Sequence, residues 1–184
     1  MRVHLVAAAA PNPGAQPRFP GADEPPVPPP ADAIEAVRGH LGRWTLAVRG
    51  PEAAAEVTVS ALVDGPVDVV DALRAPSFGT WADRPLDEVL AEDRDGAARW
   101  RQDPTWAPPD GESLADLCAR VEAWLEEVAE DRVLAVVDAA VARAAAVVAL
   151  GAGPASCWRI DVGALAVVRL QRHDGTWRLR AIHP

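Results

Sequence analysis

Apolar positions in this chain fall into two kinds of run. Residues 2–8 and Arg132–Val137 are short, apolar and rich in β-branched residues, the pattern of fully buried strands. Elsewhere the spacing is helical. Ile34, Val37 and Leu41 mark a helix over 31–42, and Pro51 suits the first turn of another that fills Ala53 to Leu62. Leu86, Val89, Leu90 and Trp100 predict one or two short helices over 85–102 with those side chains facing inward. Ser113 followed by Asp116 has the form of an N-terminal cap, and Leu114, Leu117, Val121, Trp124, Leu125 and Val128 continue as one stripe. Ala139 to Leu150 is a further helix, stopped by Gly151-Ala-Gly-Pro154. Trp44–Val48 and Val67–Leu73 are strand candidates. Val162–Leu170 and Trp177–Ile182 alternate and are joined by His173-Asp-Gly175, a hairpin signal. Nine prolines within 11–30 exclude helix or central strand there and predict a stiff surface loop. Strands alternating with helices predict one domain over 1–184, a three-layer α/β/α sandwich on a mainly parallel sheet.

Composition narrows the function. With a formal net charge of -9, the chain is a poor partner for nucleic acid or an acidic membrane surface. The opening MRVHLVAAAAPNPG is too short to span a bilayer and too β-like for a signal peptide, so a cytoplasmic protein is expected. Cys118 and Cys157 sit in apolar periodic segments and read as buried free thiols. No Cys/His spacing of metal type is present, and neither a metal nor a cofactor is expected.

The first strand runs into Ala7-Ala8-Ala9-Ala10, although the C-terminal end of such a strand is where α/β proteins place polar chemistry. Several segments carry a resemblance. Phe78-Gly-Thr-Trp-Ala-Asp-Arg-Pro-Leu-Asp-Glu88, Pro109-Asp-Gly-Glu-Ser113 and the helix after it, and Val133-Leu-Ala-Val-Val-Asp-Ala-Ala-Val-Ala-Arg-Ala144 resemble the histidine phosphatase superfamily, the phosphoglycerate mutase-like proteins. Gly151 to Asp161 is similar to the C-terminal part of actinobacterial members. The resemblance implies a phosphoglycerate mutase-like fold and a phosphate pocket whose polar residues are gone. The family's Arg-His-Gly signature, with its phosphate clamp and histidine nucleophile, falls on Ala7, Ala8 and Ala9. A second phosphate-binding arginine falls on Ala54, after the turn Gly50-Pro51. The acidic proton donor falls near Ala75, and a second histidine falls on Asp138.

Covalent phosphoryl transfer needs a nucleophile and fixed cations around the phosphate oxygens. Ala8 and Ala54 supply neither, and Asp138 would repel an anion at ~4 Å by about 4 kcal/mol at an effective dielectric near 20. The expectation is a catalytically inactive pseudophosphatase that binds a partner protein or an uncharged, apolar small molecule. The alternative is a repurposed non-phosphatase enzyme of a bacterial biosynthetic pathway, a lyase, dehydratase, isomerase or cyclase, with Asp138 as acid or base and Glu112 assisting. Asp138 reads equally as the cap of the following helix, and Glu112 as a charge at the positive end of the helix from Ser113. Trp81 and Trp106 are read as a ligand rim, or as packing between helices.

Overall fold

The computed structural model describes residues 1–10, 17–21 and 27–184. The predicted proline-rich loop lies outside the described residues at 11–16 and 22–26. Its described part is anchored: Phe19 N–H donates to Arg84 O and Leu86 N–H to Pro17 O, and Phe19 is buried.

Six strands form one sheet, β1 (Arg2–Ala7), β2 (Leu46–Arg49), β3 (Asp68–Val69), β4 (Arg132–Val137), β5 (Val167–His173) and β6 (Thr176–His183). Their spatial order is β3-β2-β4-β1-β5-β6. The first four of these are mutually parallel; β5 runs antiparallel to β1, and β6 to β5. The central strands β1 and β4 are covered on both faces, which is why they read as continuous apolar runs. On one face α1 (Ala31–His40) and α2 (Ala53–Leu62) pack Ile34, Val37, Val59 and Leu62 against Val6, Leu134 and Val136. On the other, α5 (Leu114–Glu127) and α6 (Ala139–Ala149) pack against Val3, Leu5, Ala135 and Val137. The architecture is the expected three-layer sandwich. The small residues of α6 let it lie close, and seven of them are buried.

Four expectations are corrected. Of Val67–Leu73 only Asp68–Val69 pairs, at the sheet edge beside β2, and Asp71–Leu73 then turns into a 3-10 helix. The strand predicted over Val162–Leu170 begins five residues late at Val167, because Gly163–Ala166 forms a turn with Leu165 at φ 63°. Trp44 precedes β2 instead of opening it. In the two helices over 85–102, α3 (Leu86–Glu92) and α4 (Arg94–Gln102), Val89 is buried but Leu86 and Leu90 are exposed. A seven-residue helix makes two turns and presents one inward position here. The hairpin holds as read, with Asp174 and Gly175 both at positive φ, as a two-residue turn between right-twisted strands requires.

Candidate functional site

The parallel strands β1, β2 and β4 end together at one edge of the sheet. Hydrogen bonds gather the alanines there around one place. Ala7 is fully buried, and Ala8 N–H donates to Val137 O at 2.7 Å. Ala9 N–H donates to Thr58 Oγ1 at 3.0 Å, and that hydroxyl donates to Ala54 O at 2.7 Å. Thr58 is fully buried and joins the end of β1 to α2. Sequence reading missed it, although a hydroxyl one turn after Ala54 on an apolar helix was a visible signal. Glu52 Oε1 accepts from Ala75 N–H at 2.5 Å, while its Oε2 is buried without a partner. Gly50 is required at this point, since a Cβ would sit 2.5 Å from that oxygen and 2.8 Å from Leu73 O. Thus the ends of β1 and β4 and the start of α2 bring Ala7, Ala8, Ala9 and Ala54 near one another, and their side chains are methyl groups; Ala75 is tied to Glu52 beside them.

Asp138 follows β4 at the same edge. Its Oδ1 accepts from Ala140 N–H at 2.7 Å, so it is the N-terminal cap of α6. Burial pushes its carboxyl above the usual range, opposed by that hydrogen bond, by Arg143 and by Ala139 N–H. Cap and raised carboxyl therefore coexist in one residue.

Glu112 is not an open acid. Arg120 binds it through two bonds, Nε to Oε1 at 2.9 Å and Nη2 to Oε2 at 2.7 Å, and Arg74 approaches to 3.7 Å. Arg120 Nη1 also donates to Ala72 O and Arg74 O, so the pair clips α5 to the segment after β3. The cap of α5 is Ser113, whose Oγ accepts from Asp116 N–H. Glu112 is therefore an ion-pair partner at the start of α5 and not an open acid.

The tryptophan rim is also corrected. Trp81 is buried within an aromatic cluster, with ring centroids 5.1 Å from Phe19 and 5.5 Å from Trp106. Its 3-10 turn, Gly79–Trp81, aims it inward. Trp100 and Trp158, edge to face at 4.8 Å, line a pocket of about 130 Å³ instead, together with Phe78, Leu117, Cys157 and Arg143. Arg143 was missed. Its Nε is buried without a hydrogen-bond partner, so the region keeps one cation beside Asp138. Cys157 and Cys118 are free and buried, with sulfurs 3.8 Å apart. The hydrogen bond between them and burial push the Cys118 thiol up; the same bond, with Arg143, holds the Cys157 thiol down. Ala75 lines a separate open cleft of about 410 Å³ that shares Pro76 and Phe78 with the pocket. Among the described residues no three His, Cys, Asp or Glu side chains gather as a metal site would need, and no helix is long and apolar enough to cross a membrane.

The family model of the histidine phosphatase superfamily (branch 1) matches residues 36–183. This chain belongs to the histidine phosphatase superfamily. The match starts after β1, beyond the alanines. Solved histidine phosphatase-like folds, by contrast, superpose along nearly all of the chain. An α-ribazole phosphatase from Shigella flexneri superposes with a TM-score of 0.85 at 18% identity, covering 100% of this chain and 96% of its own. A mycobacterial glucosyl-3-phosphoglycerate phosphatase gives 0.80 at 20%, covering 97% and 96%. A phosphoserine phosphatase mutant from Entamoeba histolytica, in complex with phosphoserine, gives 0.82 at 14%, covering 99% and 96%. No curated protein matches the sequence significantly. The superfamily fold is present in full, and the identities are those of fold likeness alone.

Proposed function

We propose that this member of the superfamily is a pseudophosphatase that binds a small apolar molecule. The observation that carries the reading is the set of side chains at the ends of β1 and α2. Ala8 has no nucleophile, Ala7 and Ala54 have no cation, and Asp138 adds a carboxylate at the same sheet edge. Losing one histidine does not abolish ligand binding in this fold, since the Entamoeba mutant, a histidine-to-alanine change, is in complex with phosphoserine. Losing the clamp as well removes the charges that hold the anion. The pocket beside Trp158 supports the ligand class. Its volume is that of cavities that take a benzene-sized ring, and aromatic and aliphatic side chains dominate its walls. Of its two charged lining residues, Glu112 is paired with Arg120, and Arg143 remains as a cation. A concave pocket of this size favours a small molecule over a protein partner.

The raised Asp138 carboxyl favours one second reading, an acid/base enzyme on the same scaffold. Such a protein would turn over an apolar substrate and lose that activity on Asp138→Asn, because an amide carries no transferable proton.

The test uses p-nitrophenyl phosphate with the native chain, with Ala8→His, and with Ala7→Arg, Ala8→His, Ala54→Arg and Asp138→His together. Neither the native chain nor the single variant hydrolyses it, because an added imidazole still lacks its clamp. Activity in either overturns the proposal. In parallel, calorimetric titration with indole gives a saturable heat in the native chain and none in Ala140→Leu, which narrows the pocket that Ala140 lines.

A further inference from the structure

A second polar hollow lies at the opposite edge of the sheet, where β1 and β4 begin. The strand register sets Arg2 beside Arg132 and His4 beside Arg169. The segment Gly42–Trp44, after α1, closes the remaining side. The cavity measures about 150 Å³, and no carboxylate lines it. Its charged and aromatic walls are Arg2, His4, Arg43, Trp44, Arg132 and Arg169.

Four arginines line it and no acid does, in a chain with 27 acidic residues. Six arginines form ion pairs, Arg38, Arg49, Arg74, Arg84, Arg120 and Arg172, while others such as Arg143 and Arg159 form none among the described residues; the four here differ in sharing one cavity. Among the described residues the four around this hollow form none, and Arg169 Nε is buried without a hydrogen-bond partner. His4 reports the same field. After burial, the influences on its imidazole are Arg169, Arg2 and His183, and all of them push its pKa down. A group of like charges held together, one with a buried unpaired donor, is complementary to a ligand that brings the missing negative charge.

We propose that this hollow binds a small anion of two or more charges, of the phosphate monoester or pyrophosphate class. Guanidinium forks match phosphoryl oxygens in pairs, which a single carboxylate could not satisfy four times over. The cavity holds about five waters' worth of liquid volume, room for one or two phosphoryl groups. Trp44 supplies an apolar wall for whatever carries them. The site is distinct from the alanine-lined hollow. Arg2 and Ala8 are six residues apart along an extended strand, about 20 Å. It does not rest on the pseudophosphatase reading, and binding here involves no chemistry on the anion.

The experiment is calorimetric titration of the full chain with inorganic pyrophosphate and with inorganic phosphate at fixed ionic strength. Arg43→Gln, Arg132→Gln and Arg143→Gln are run in parallel. Arg43 and Arg132 are exposed, so those variants are expected to fold, and circular dichroism verifies it. Expected is saturable binding, tighter for pyrophosphate, weakened at least about tenfold by Arg43→Gln and by Arg132→Gln. Arg143→Gln, at the other end of the sheet, leaves it unchanged. Three results each overturn the proposal: no binding up to about 10 mM, the weak limit of a useful site; binding indifferent to Arg43 and Arg132; or binding lost in Arg143→Gln, which would place the anion at the former phosphate pocket. Sulfate arms separate the sources. Equal affinity for sulfate and pyrophosphate shows an unspecific anion trap and also counts against the phosphoryl assignment.

Discussion

Asp138→Asn tests the site most directly, because the substitution keeps the shape and removes the charge. In the structure Oδ1 accepts from Ala140 N–H at 2.7 Å, and an amide oxygen can take the same bond. Asn caps helices about as well as Asp, so the loss of capping is within about 0.5 kcal/mol. Removing a carboxylate from a site where burial disfavours it offsets that loss. Asp138→Ala has no such substitute and costs about 1–2 kcal/mol. In a domain of this size that is a fall in Tm of roughly 2–8 °C. The pH dependence carries a sign. A carboxyl raised above its unfolded value of about 3.9 binds more protons folded than unfolded, so its contribution to stability falls as pH rises above that value. The Asn variant lacks this penalty. It is therefore at least as stable as the native chain near pH 7 and loses that advantage toward pH 4. Urea denaturation at several pH values, with NMR titration of the Asp138 carboxyl, measures both effects. If Asp138→Asn falls as far as Asp138→Ala at pH 7, or the carboxyl titrates at or below 3.9, the argument from burial is wrong.

Two further outcomes follow from the same packing arguments. Arg120→Met leaves Glu112, whose side chain is 10% exposed, with only Arg74 at 3.7 Å, and should cost about 3 kcal/mol in chemical denaturation; pairing it with Glu112→Met restores much of that, because breaking a buried ion pair is costlier than replacing both partners. A double variant no more stable than the single one would show that the clip contributes through something other than charge. The depressed His4 imidazole adds stability above about pH 6.5, lost as pH falls through its folded value, so His4→Gln flattens part of the acid slope below pH 6.5. The partly buried His183, stacked on His40 at 4.2 Å, is shifted in the same direction and adds to the slope. An unchanged slope refutes the assignment to His4.

The local pattern was enough to determine the layers of this fold. Buried strands such as Arg132–Val137 and helices such as Ala53–Leu62 carry their burial in their own spacing, and the cap at Ser113 and the turn at Asp174-Gly175 are chemistry of adjacent residues. The alanines at 7, 8 and 9 were equally plain, since an absent functional group is visible without coordinates. What the sequence could not decide was which side chain meets which across the fold. Glu112 becomes an ion-pair partner only because α5 lays Arg120 eight residues on against it. Trp81 turns inward while Trp158 faces the pocket, a choice made by a 3-10 turn and by the anchoring of Phe19. Cys118 and Cys157 are 39 residues apart in the chain and touch in space. The four arginines around His4 come from β1, the segment after α1, β4 and β5, and no spacing announces them. Periodicity records how each element faces the core. Contacts between elements depend on sheet order and register, which the whole chain sets at once, and it is there that an unmatched cluster of charge arises.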